Sequence, residues 1–430
     1  MMEINLPENW IKVAIGEICE LYQPKTLSTK EIDNNGNYLV YGANGVIGKH
    51  SIYNHINSEL LITCRGATCG NVHISKPFSW INGNAMVVKP FNKDFLSMEY
   101  LYYIFSTNGI TNDAISGSAQ PQITRISLSP IPLPLPPLAE QHRIVAKIEE
   151  LFSELDKGIE TLKTAQQQLK VYRQAVLKYA FEGKLTNPDV KEGELPEGWK
   201  VRLFKDVALI KRGKSKHRPR DAKELFGGPY PFIQTGDVRA ANGKTIKRYS
   251  QSYSEFGLSQ SRLWPAGTLC LTIAANIGDV AFLGFDACFP DSVVGVIPNE
   301  GMLNVNYLRY YMQRIKQELD SSASATAQKN LNVEILEKVN ILLPNVDEQL
   351  FIIQEIESRF SICDKIEESI EQGLQQAEAL RQSILKKAFE GKLVPQDPND
   401  EPASVLLERI KAERAAAQPE KKSRTKKVKA

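Results

Sequence analysis

The sequence predicts an α+β fold in which two strand-rich domains alternate with two long helices that pair as an antiparallel coiled coil. Residues 136–185 recur as residues 344–393 at a constant offset of 208 with no gap. Both copies carry an apolar heptad pattern, which is typical of supercoiled helices. The segments before them hold short apolar runs between Gly and Asn turns, which are typical of strands. The chain is therefore predicted to be a pseudo-twofold tandem duplication.

Length and composition exclude several classes of protein. The 430 residues are 42% hydrophobic and 24% charged, as in a globular protein of two or three domains. No apolar run approaches the roughly 18 residues that cross a bilayer, and Met1–Trp10 holds two acidic residues and no basic stretch. The six cysteines form no CxxC pair. We therefore expect a cytoplasmic protein with reduced core thiols, no membrane span and no secretory signal.

Two motifs bound each repeated unit. A Leu-Pro-Glu-x-Trp motif opens the units at Leu6–Trp10 and Leu195–Trp199. Both helical copies end on Ala-Phe-Glu-Gly-Lys-Leu, with Gly183 and Gly391 placed where a helix terminates. Between the motifs the units differ in length and sequence. The predicted limits are 1–135 for the first variable domain, 136–185 for the first helical region, 186–343 for the second variable domain and 344–393 for the second helical region.

The helical regions are predicted to pack on each other. No proline occurs from Ala139 to Glu182, so a helix of about 66 Å is expected there. Because an apolar stripe must be buried and both helices belong to one chain, we expect an antiparallel pair with the variable domains near opposite ends. The alternative that each helix only caps its own domain stays open. The predicted seam residues are Ile148, Leu155, Leu162, Leu169 and Val176, with Ile144, Leu151, Gly158, Ala165, Tyr172 and Tyr179 as the second row; the second copy has Ile356, Cys363, Ile370, Ala377 and Ile384, flanked by Ile352, Ile366 and Leu380.

The variable domains are predicted to share one order of elements, three strands followed by a helix. Amide-rich segments at 116–122 and 321–330 are predicted to be loops that expose hydrogen-bonding side chains. The predicted strands and helix are Tyr38–Tyr41, Leu60–Thr63, Ala85–Val88 and Phe95–Phe105 in the first domain, and Pro231–Ile233, Leu269–Ile273, Val293–Ile297 and Tyr307–Leu319 in the second.

Positive charge is concentrated in the second variable domain. Residues 1–135 have a net charge of −1 and residues 186–343 have a net charge of +4, with seven cations in the thirteen residues 211–223. Such a run in a strand-rich domain is typical of an arm that contacts nucleic-acid phosphates, although a solvated loop is the alternative. A second basic run, Lys421–Lys429, is interpreted as a disordered tail, with a role in DNA affinity or partner contact as the alternative.

The sequence lacks the motifs of a catalytic subunit. Neither Gly213-Lys214-Ser215 nor Gly243-Lys244-Thr245 has the upstream glycine of a phosphate-binding loop. No Asn-Pro-Pro-Tyr motif of amino-methyltransferases occurs, and no Glu-x-Lys follows either Pro-Asp pair at nuclease spacing. Cys64, Cys69 and His73 lack a fourth metal ligand at finger-like spacing, so core packing is the favoured interpretation. We predict a chain that is not an enzyme and holds no cofactor or metal.

These motifs together resemble the specificity subunits of type I restriction-modification systems. The resemblance covers nearly the whole chain. It includes the two opening motifs, the helix-end run present twice, and a segment from Val394 to Pro398 that leads into a tail helix around Ser404–Ala417, so that 394–430 is expected to hold a C-terminal helix and a basic tail. Further matching motifs are Tyr41–Gly45, Pro136–Gln141 and Pro231–Asp237.

The resemblance implies a DNA-binding subunit of a system for DNA methylation and phage defence. Such a subunit reads an asymmetric double-stranded target in two halves, one per variable domain, with the spacer set by the helices. Two adenine-specific methyltransferase subunits and ATP-dependent motor-nuclease subunits are the implied partners. The implied cofactors, S-adenosylmethionine, ATP and magnesium, belong to those partners. Two diverged readers on a rigid strut also suit a bipartite site on physical grounds, because protein geometry sets half-site separation.

Candidate DNA contacts follow from side-chain chemistry. Amides pair with adenine and arginine pairs with guanine in the major groove, whereas cations contact phosphates. A structural role as a turn or loop cap is the alternative for each amide. The phosphate candidates are Lys211, Arg212, Lys214, Lys216, Arg218 and Arg220, and the base-edge candidates are Asn44, Arg65, Gln120, Gln122, Gln234, Gln328 and Asn330.

Two rival functions stay open at this point. A coiled-coil scaffold that never reads DNA is compatible with residues 344–393, which have a net charge of −4. It does not explain the duplicated variable domains, and DNA binding by the assembled complex would discriminate it. A self-sufficient nuclease or methyltransferase is disfavoured by the missing motifs, and S-adenosylmethionine binding by the isolated chain would test it.

Overall fold

The computed structural model describes residues 6–33, 35–107, 110–117, 120–191, 193–274, 276–324 and 331–417. The chain divides into two compact units. Unit 1 comprises Met1–Leu162 and Gln372–Ala430, and unit 2 comprises Lys163–Glu371. Each unit therefore contains one variable domain and a segment from each of the two long helices.

Eleven α-helices are described, of which two have 44 residues each. Short 3₁₀ turns lie at Thr29–Glu31, Asn112–Ala114 and Lys223–Leu225. The helices are α1 (Ile15–Ile18), α2 (Met98–Phe105), α3 (Arg125–Leu128), α4 (Leu138–Phe181), α5 (Phe204–Val207), α6 (Thr235–Ala241), α7 (Glu255–Ser259), α8 (Val305–Ser324), α9 (Val333–Glu337), α10 (Val346–Phe389) and α11 (Ala403–Ala417).

The strands of unit 1 form a four-stranded antiparallel sheet in the order β2-β8-β5-β6, a three-stranded sheet in the order β4-β3-β7, and two strand pairs, β1-β11 and β9-β10. Apolar side chains of the four-stranded sheet pack on α2 and on the helix segments of the unit. The strands are β1 (Ile11–Ala14), β2 (Cys19–Tyr22), β3 (Tyr38–Gly42), β4 (Gly45–His50), β5 (Leu60–Thr63), β6 (Val72–Ile74), β7 (Trp80–Ile81), β8 (Ala85–Pro90), β9 (Ile115–Ser116), β10 (Gln122–Ile123) and β11 (Pro132–Leu135).

The strands of unit 2 form a five-stranded sheet in the order β13-β19-β17-β18-β15 and two strand pairs, β14-β16 and β12-β20. The sheet packs on α8 and on the helix segments of this unit. The strands are β12 (Lys200–Leu203), β13 (Ala208–Arg212), β14 (Phe226–Phe232), β15 (Thr245–Ile246), β16 (Gln251–Tyr253), β17 (Leu269–Thr272), β18 (Val280–Leu283), β19 (Val293–Pro298) and β20 (Asn340–Leu343).

The duplication is visible in the strand pairing. In unit 1 the strand that follows Trp10 pairs antiparallel with the strand before α4, and in unit 2 the strand that follows Trp199 pairs in the same way with the strand before α10. The central strand pairs of the two larger sheets also correspond: β5 pairs antiparallel with β8 in unit 1, and β17 pairs antiparallel with β19 in unit 2. The predicted α+β tandem duplication is confirmed.

Three predicted elements have limits that differ from the structure by more than two residues, and the other limits differ by two residues or fewer. The helix expected from Phe95 begins at Met98, because the Ser97 hydroxyl accepts a hydrogen bond from Tyr100 N at 3.2 Å and caps it. The helix expected to end at Leu319 continues to Ser324, so the first part of the predicted loop 321–330 is helical, and residues 325–330 lie outside the described part. The strand expected at Pro231–Ile233 begins earlier, at Phe226.

In each unit the two helix segments pack on each other. In unit 1 the guanidinium of Arg381 pairs with Asp156 and lies over the ring of Phe152, while Gly373 faces Leu162. The residue numbers rise on one helix as they fall on the other, so these segments are antiparallel, as predicted. In unit 2 Arg173 makes the corresponding contacts, an ion pair with Asp364 at 2.5 Å and a cation–π contact with Phe360.

The first row of the predicted seam is correct, and the second row is correct only in part. Within their own units, the buried or half-buried positions include all five residues of the first row in each helix. In the second row and its counterpart in α10, Ile144 and Ile352 are buried and Leu151 and Ala165 are half-buried, whereas Gly158, Tyr172, Tyr179, Ile366 and Leu380 are exposed. Positions four residues after the first row are also buried or half-buried, because an α-helix places residues three and four apart on neighbouring faces. These positions are Phe152, Ile159, Gln166, Arg173 and Ala180 in α4, and Phe360, Glu367, Leu374, Arg381 and Ala388 in α10.

The cysteines form no disulfide bond in the structure. All six thiols are free, and five of them are buried, which fits their interpretation as small core residues. None of the described helices combines the length and apolar character that a membrane crossing requires.

Candidate nucleic-acid interface

The basic run at 211–223, called here the basic arm, is an ordered segment that leaves the end of β13. Its backbone is fixed at several points: Lys214 N donates to Phe289 O at 3.1 Å, and the Ser261 hydroxyl donates to Lys214 O at 2.8 Å. The side-chain oxygen of Gln260 accepts the backbone N–H groups of Lys216 and His217 at 2.6 and 2.9 Å. The arm is therefore anchored by its neighbours.

All seven cations of the basic arm are exposed, but they differ in their contacts. The arginines make contacts within the chain: Arg212 donates to the carbonyl of Asp291, and Arg220 pairs with the Asp291 carboxylate at 2.9 Å. Arg218 donates to two carbonyls of the arm itself, those of Ser215 at 2.8 Å and His217 at 2.7 Å. Among the described contacts, no side-chain partner occurs for the lysines Lys211, Lys214, Lys216 and Lys223.

A groove of about 840 Å³ lies beside the basic arm in unit 2 and is called here the amide groove. Gln234 lines it, and its side-chain nitrogen donates to the side-chain oxygen of Gln251. The backbone N–H of Gln234 donates to the Asp237 carboxylate at 2.8 Å, which fixes the residue at the start of α6. An aromatic floor supports the groove, with the rings of Phe232 and Tyr253 stacked 4.1 Å apart.

The combination in this groove suits recognition of nucleic acid. Cations at the rim, Arg220 and Lys223, lie next to an exposed amide whose neighbours fix its position. Phosphate contacts position a duplex, and a fixed amide reads a base edge. Sequence reasoning selected Gln234 but missed Gln251, because only the pairing of β14 with β16 brings them together.

The predicted base-edge residues of the first variable domain gather at one end of β5. Arg65 and Gln122 face each other in an antiparallel bridge, and Gln120 is exposed just before β10. Asn44 lies in the β3-β4 turn, where its side-chain oxygen accepts from Asn71 Nδ2 at 3.3 Å. The backbone of Asn71 in turn accepts from Thr63 N at 2.8 Å, which connects this turn to β5.

The corresponding end of β17 in unit 2 has a different set of side chains. Arg239 Nη1 donates to Asn276 Oδ1 at 2.7 Å, and Arg239 is exposed. Neither residue was selected from the sequence; the only signal was an arginine two residues after the Pro231–Asp237 motif. The predicted candidates Gln328 and Asn330 lie outside the described residues. The two domains thus present different polar groups at equivalent ends of equivalent strands.

The motifs shared by the two units attach each variable domain to its helices. Trp10 Nε1 donates to the Glu140 carboxylate at 2.9 Å, and Trp199 Nε1 donates to the Glu348 carboxylate at 2.9 Å. The next glutamine in each helix accepts a backbone N–H from its domain, Gln141 from Ser97 and Gln349 from Asn304. We call the two tryptophan contacts the Trp–Glu locks.

Each unit also has a cleft between its variable domain and its helix pair. The clefts have volumes of about 660 Å³ in unit 1 and about 700 Å³ in unit 2. Eight lining residues are identical between the clefts, whereas the remaining positions differ. The identical pairs are Tyr103 and Tyr310, Glu149 and Glu357, Phe152 and Phe360, Ser153 and Ser361, Asp156 and Asp364, Gln382 and Gln174, Arg381 and Arg173, and Leu385 and Leu177. We call them the twin clefts.

Of the thiol and imidazole candidates in unit 1, His73 lies in β6, Cys64 directly follows β5, and Cys69 lies in the turn before β6. Burial raises the pKa of Cys64 to about 11 and lowers the pKa of His73. A metal ligand thiol must be a thiolate, so the environment of Cys64 disfavours ligation. In the part of the chain that the structure describes, no three His, Cys, Asp or Glu side chains gather as a metal site.

Comparison with known families gives a match over most of the chain. The model of the type I restriction modification DNA specificity domain matches residues 7–170 and again residues 196–376. Each match covers one variable domain and a large part of the helix that follows it.

Individual relatives match over nearly their full lengths. The type I restriction enzyme EcoBI specificity subunit of Escherichia coli is 25% identical over 466 residues, covering 98% of this chain and 96% of its own. The EcoDI specificity subunit of Escherichia coli is 26% identical over 460 residues, covering 98% of this chain and 99% of its own.

Two solved structures share the fold. A chain from work on complex assembly and conformational transition of the type I R-M system has a TM-score of 0.72 and 22% identity, covering 90% of this chain and 100% of its own. The crystal structure of the HsdS subunit from Thermoanaerobacter tengcongensis has a TM-score of 0.56 and 21% identity, covering 91% and 99%.

Proposed function

Because the chain belongs to the family of type I restriction-modification DNA specificity domains, we propose that each of its two variable domains reads one half of an asymmetric double-stranded DNA target. The relatives over its full length are specificity subunits, and the chain has that role. The observation that carries the bipartite reading is the contrast within the duplication: identical residues attach the domains to the helices, while the exposed polar groups at the domain ends differ.

The basic arm and the amide groove give the second domain a physical route to one half-site. Lysine ammoniums contact phosphates and release counterions, which supplies affinity without sequence preference. The fixed amides Gln234 and Gln251 then face base edges, where an amide pairs with adenine through its donor and its acceptor.

The first domain reads its half-site with other chemistry. Residues 1–135 contain no basic run. The polar cluster at the end of β5 comprises Arg65, Gln122 and the pair of Asn44 with Asn71. Arginine suits guanine and the amides suit adenine, so the two half-sites differ in sequence. An asymmetric target follows from this difference.

The twin clefts support docking of two copies of one partner. Among the eight identical pairs, Glu149, Ser153 and Asp156 and their counterparts Glu357, Ser361 and Asp364 are exposed, so the same polar surface occurs twice, which suits two identical subunits. In the proposed complex these are adenine-specific methyltransferase subunits, and ATP-dependent motor-nuclease subunits join them for cleavage. S-adenosylmethionine, ATP and magnesium serve those partners, and this chain is the non-catalytic subunit.

A base-resolution map of adenine methylation tests the proposal. Cells with the partner methyltransferase genes intact are compared with and without this gene. The expected result is loss of methylation at one interrupted, asymmetric motif when the gene is removed. An unchanged methylation map would contradict the proposed role and favour a scaffold without DNA reading.

A further inference from the structure

The turn between β3 and β4 presents apolar side chains beside the polar cluster at the end of β5. Residues 43–47 form this turn and the start of β4, and we call them the hairpin tip. Val46 is 52% exposed and Ile47 is 46% exposed, two and three residues after the exposed Asn44. A single exposed apolar residue needs no explanation, whereas two adjacent ones within a candidate DNA interface call for one.

The hairpin tip is attached to the strand end that carries Arg65. Thr63, the buried last residue of β5, donates its hydroxyl to the carbonyl of Ala43. The side-chain oxygen of Asn44 accepts from Asn71 Nδ2 at 3.3 Å. Arg65 lies two residues after Thr63. The apolar side chains of the tip therefore lie at the same end of the domain as the polar cluster.

A β-bulge and a glycine fix the position of Ile47. The register of the β3-β4 pair shifts between Val40 and Tyr41, and Ile47 is the extra residue. A bulge turns side chains away from the regular alternation of a strand. The Ile47 side chain lies against Gly42, where an added Cβ would come within 2.7 Å of Ile47 Cγ2 and 2.9 Å of Cδ1. Glycine at position 42 therefore makes room for Ile47, which is held against the hairpin while the rest of its side chain stays exposed.

The second variable domain has a different element at the equivalent place. Strand β14 corresponds to β3, because Val40 of β3 pairs in parallel with Trp80 and Phe232 of β14 makes a parallel bridge with Cys288. Beyond this shared strand, β3 continues into the hairpin tip, whereas β14 is followed by α6, which carries the exposed Arg239. The two domains thus diverge in the element that bears their exposed polar groups, as expected of an element that reads sequence.

We propose that Ile47 contacts the C5-methyl group of one thymine in the half-site of the first domain, an inference that rests on the proposed function and deepens it. Thymine alone carries a methyl group on its major-groove edge, and apolar side chains contact this group. The major groove also admits a two-stranded β-ribbon such as the β3-β4 hairpin. The tip then combines two kinds of reading, an amide at Asn44 for a polar base edge and Ile47, with Val46 beside it, for a methyl group.

Uracil substitution tests the methyl contact without any variant. Uracil pairs with adenine as thymine does and lacks only the C5-methyl group. Duplexes that carry the methylated motif are made with uracil in place of each thymine in turn, on either strand, and the full-length chain is titrated against them by fluorescence anisotropy. At one position we expect about fourfold weaker binding, the effect of removing one methyl group from apolar contact. If no thymine of the motif shows this loss, the proposal is overturned.

Variants assign the contact to Ile47. In Ile47→Ala the ratio of thymine to uracil affinity at that position should fall from about four to about one, because the methyl group loses its apolar partner. Ile47→Val keeps both γ carbons and should retain most of the ratio. Ile52→Ala is the matched control, since Ile52 is 55% exposed and lies beyond the other end of β4. An unchanged ratio in Ile47→Ala would refute the assignment.

Failure of this inference and failure of the proposed function give different results. If Ile47 reads no methyl group, the methylated motif persists and its uracil duplexes bind as the thymine duplex does. If the chain does not read DNA, no methylated motif depends on the gene, and both proposals are overturned. The methylation map of an Ile47→Ala strain is a second readout. The motif should broaden at one A·T pair, in the half that Arg65→Ala also broadens, and broadening in the other half would contradict the proposal.

Discussion

At the residue scale, arginines and lysines of the basic arm have different tasks. Arg212, Arg218 and Arg220 bond to carbonyls or to the Asp291 carboxylate and hold the arm in shape. The planar guanidinium suits such fixed contacts, whereas a lysine ammonium is a mobile, hydrated point charge. We therefore expect the lysines of the arm to contact phosphates in the proposed function, a distinction that the sequence run of seven cations does not reveal.

Replacing arm lysines should change the salt dependence of DNA binding. For the double variant Lys214→Gln/Lys216→Gln we expect weaker binding at low salt and a log–log salt slope shallower by about 1.8, since each phosphate contact contributes about 0.9. Titration of the target duplex at several salt concentrations measures the slope. Lys200→Gln, an exposed lysine on β12, is the control. An unchanged slope in the double variant would show that the arm is only a solvated loop.

Glu59 should make stability depend on pH. Burial raises its pKa, Glu20 adds to the increase, and Lys93 and Lys89 oppose it. The folded state therefore binds the proton more tightly than the unfolded state, so the stability contributed by this group falls as pH rises from its ordinary pKa through the raised value. Glu59→Gln removes this dependence.

Thermal melting across that pH range checks the prediction. The melting temperature of the wild type should decrease relative to Glu59→Gln as pH rises, and the variant should be the more stable protein at neutral pH. Parallel pH profiles of the two proteins would contradict a raised pKa in the folded state.

At the element scale, the Trp–Glu locks explain why the opening motif and the start of each helix recur together. The indole of the motif donates to the glutamate in the first turn of a helix. The glycine at each helix end adopts a positive φ, 75° at Gly183 and 70° at Gly391, and contacts the proline of a motif, Pro196 or Pro7. The motif, the helix start and the helix end are thus three parts of one junction in each unit.

The two locks should differ in strength. Trp10 donates to Oε2 of the buried Glu140 and Gln396 donates to its other oxygen, Oε1, so Oε2 loses the Trp10 hydrogen bond when Trp10 is replaced. Oε1 of Glu348 accepts from both Trp199 and Thr186, so it keeps the Thr186 hydroxyl, at 2.7 Å, when Trp199 is replaced. We expect Trp10→Phe to lower the free energy of unfolding by about 1–3 kcal/mol and Trp199→Phe to lower it less. Urea titrations of both variants measure the difference. A larger loss for Trp199→Phe would be evidence against this ranking.

At the scale of the whole molecule, duplication and divergence have separate roles. The twin clefts, the locks and the helix contacts of Arg173 and Arg381 are the same in both units. The polar groups at the domain ends differ, Arg65 with Gln122 in one unit and Arg239 with Asn276 in the other. In the proposed function, this shared attachment carries two different readers, which suits an asymmetric target because protein geometry sets half-site separation.

Single variants should therefore relax one half of the target at a time. We expect Arg65→Ala to broaden the methylated motif in one half and Gln234→Ala to broaden it in the other, each with a loss of about 1–3 kcal/mol for the contacted base pair. Methylation maps of the two variant strains, compared with the wild type, measure the change. Effects of both variants on the same half would contradict the assignment of one half-site per domain.

The sequence by itself determined the duplication, the strand-rich and helical segments and the motifs of the junctions, because repeats and apolar periods are local properties of the chain. The 44-residue helices begin and end within one residue of their predicted limits at Ala139 and Glu182 in the first copy. The heptad pattern also identified Ile356, Cys363, Ile370, Ala377 and Ile384 as buried.

Only the tertiary structure decided which residues face each other. Tyr172 and Tyr179 are apolar enough to suggest a seam, yet both are exposed, and the polar Arg173 occupies the seam because it stacks on Phe360 and pairs with Asp364. The sequence likewise does not predict that Gln234 pairs with Gln251 or that Asn44 pairs with Asn71. Contacts between distant segments depend on strand pairing and packing, which a local pattern does not encode.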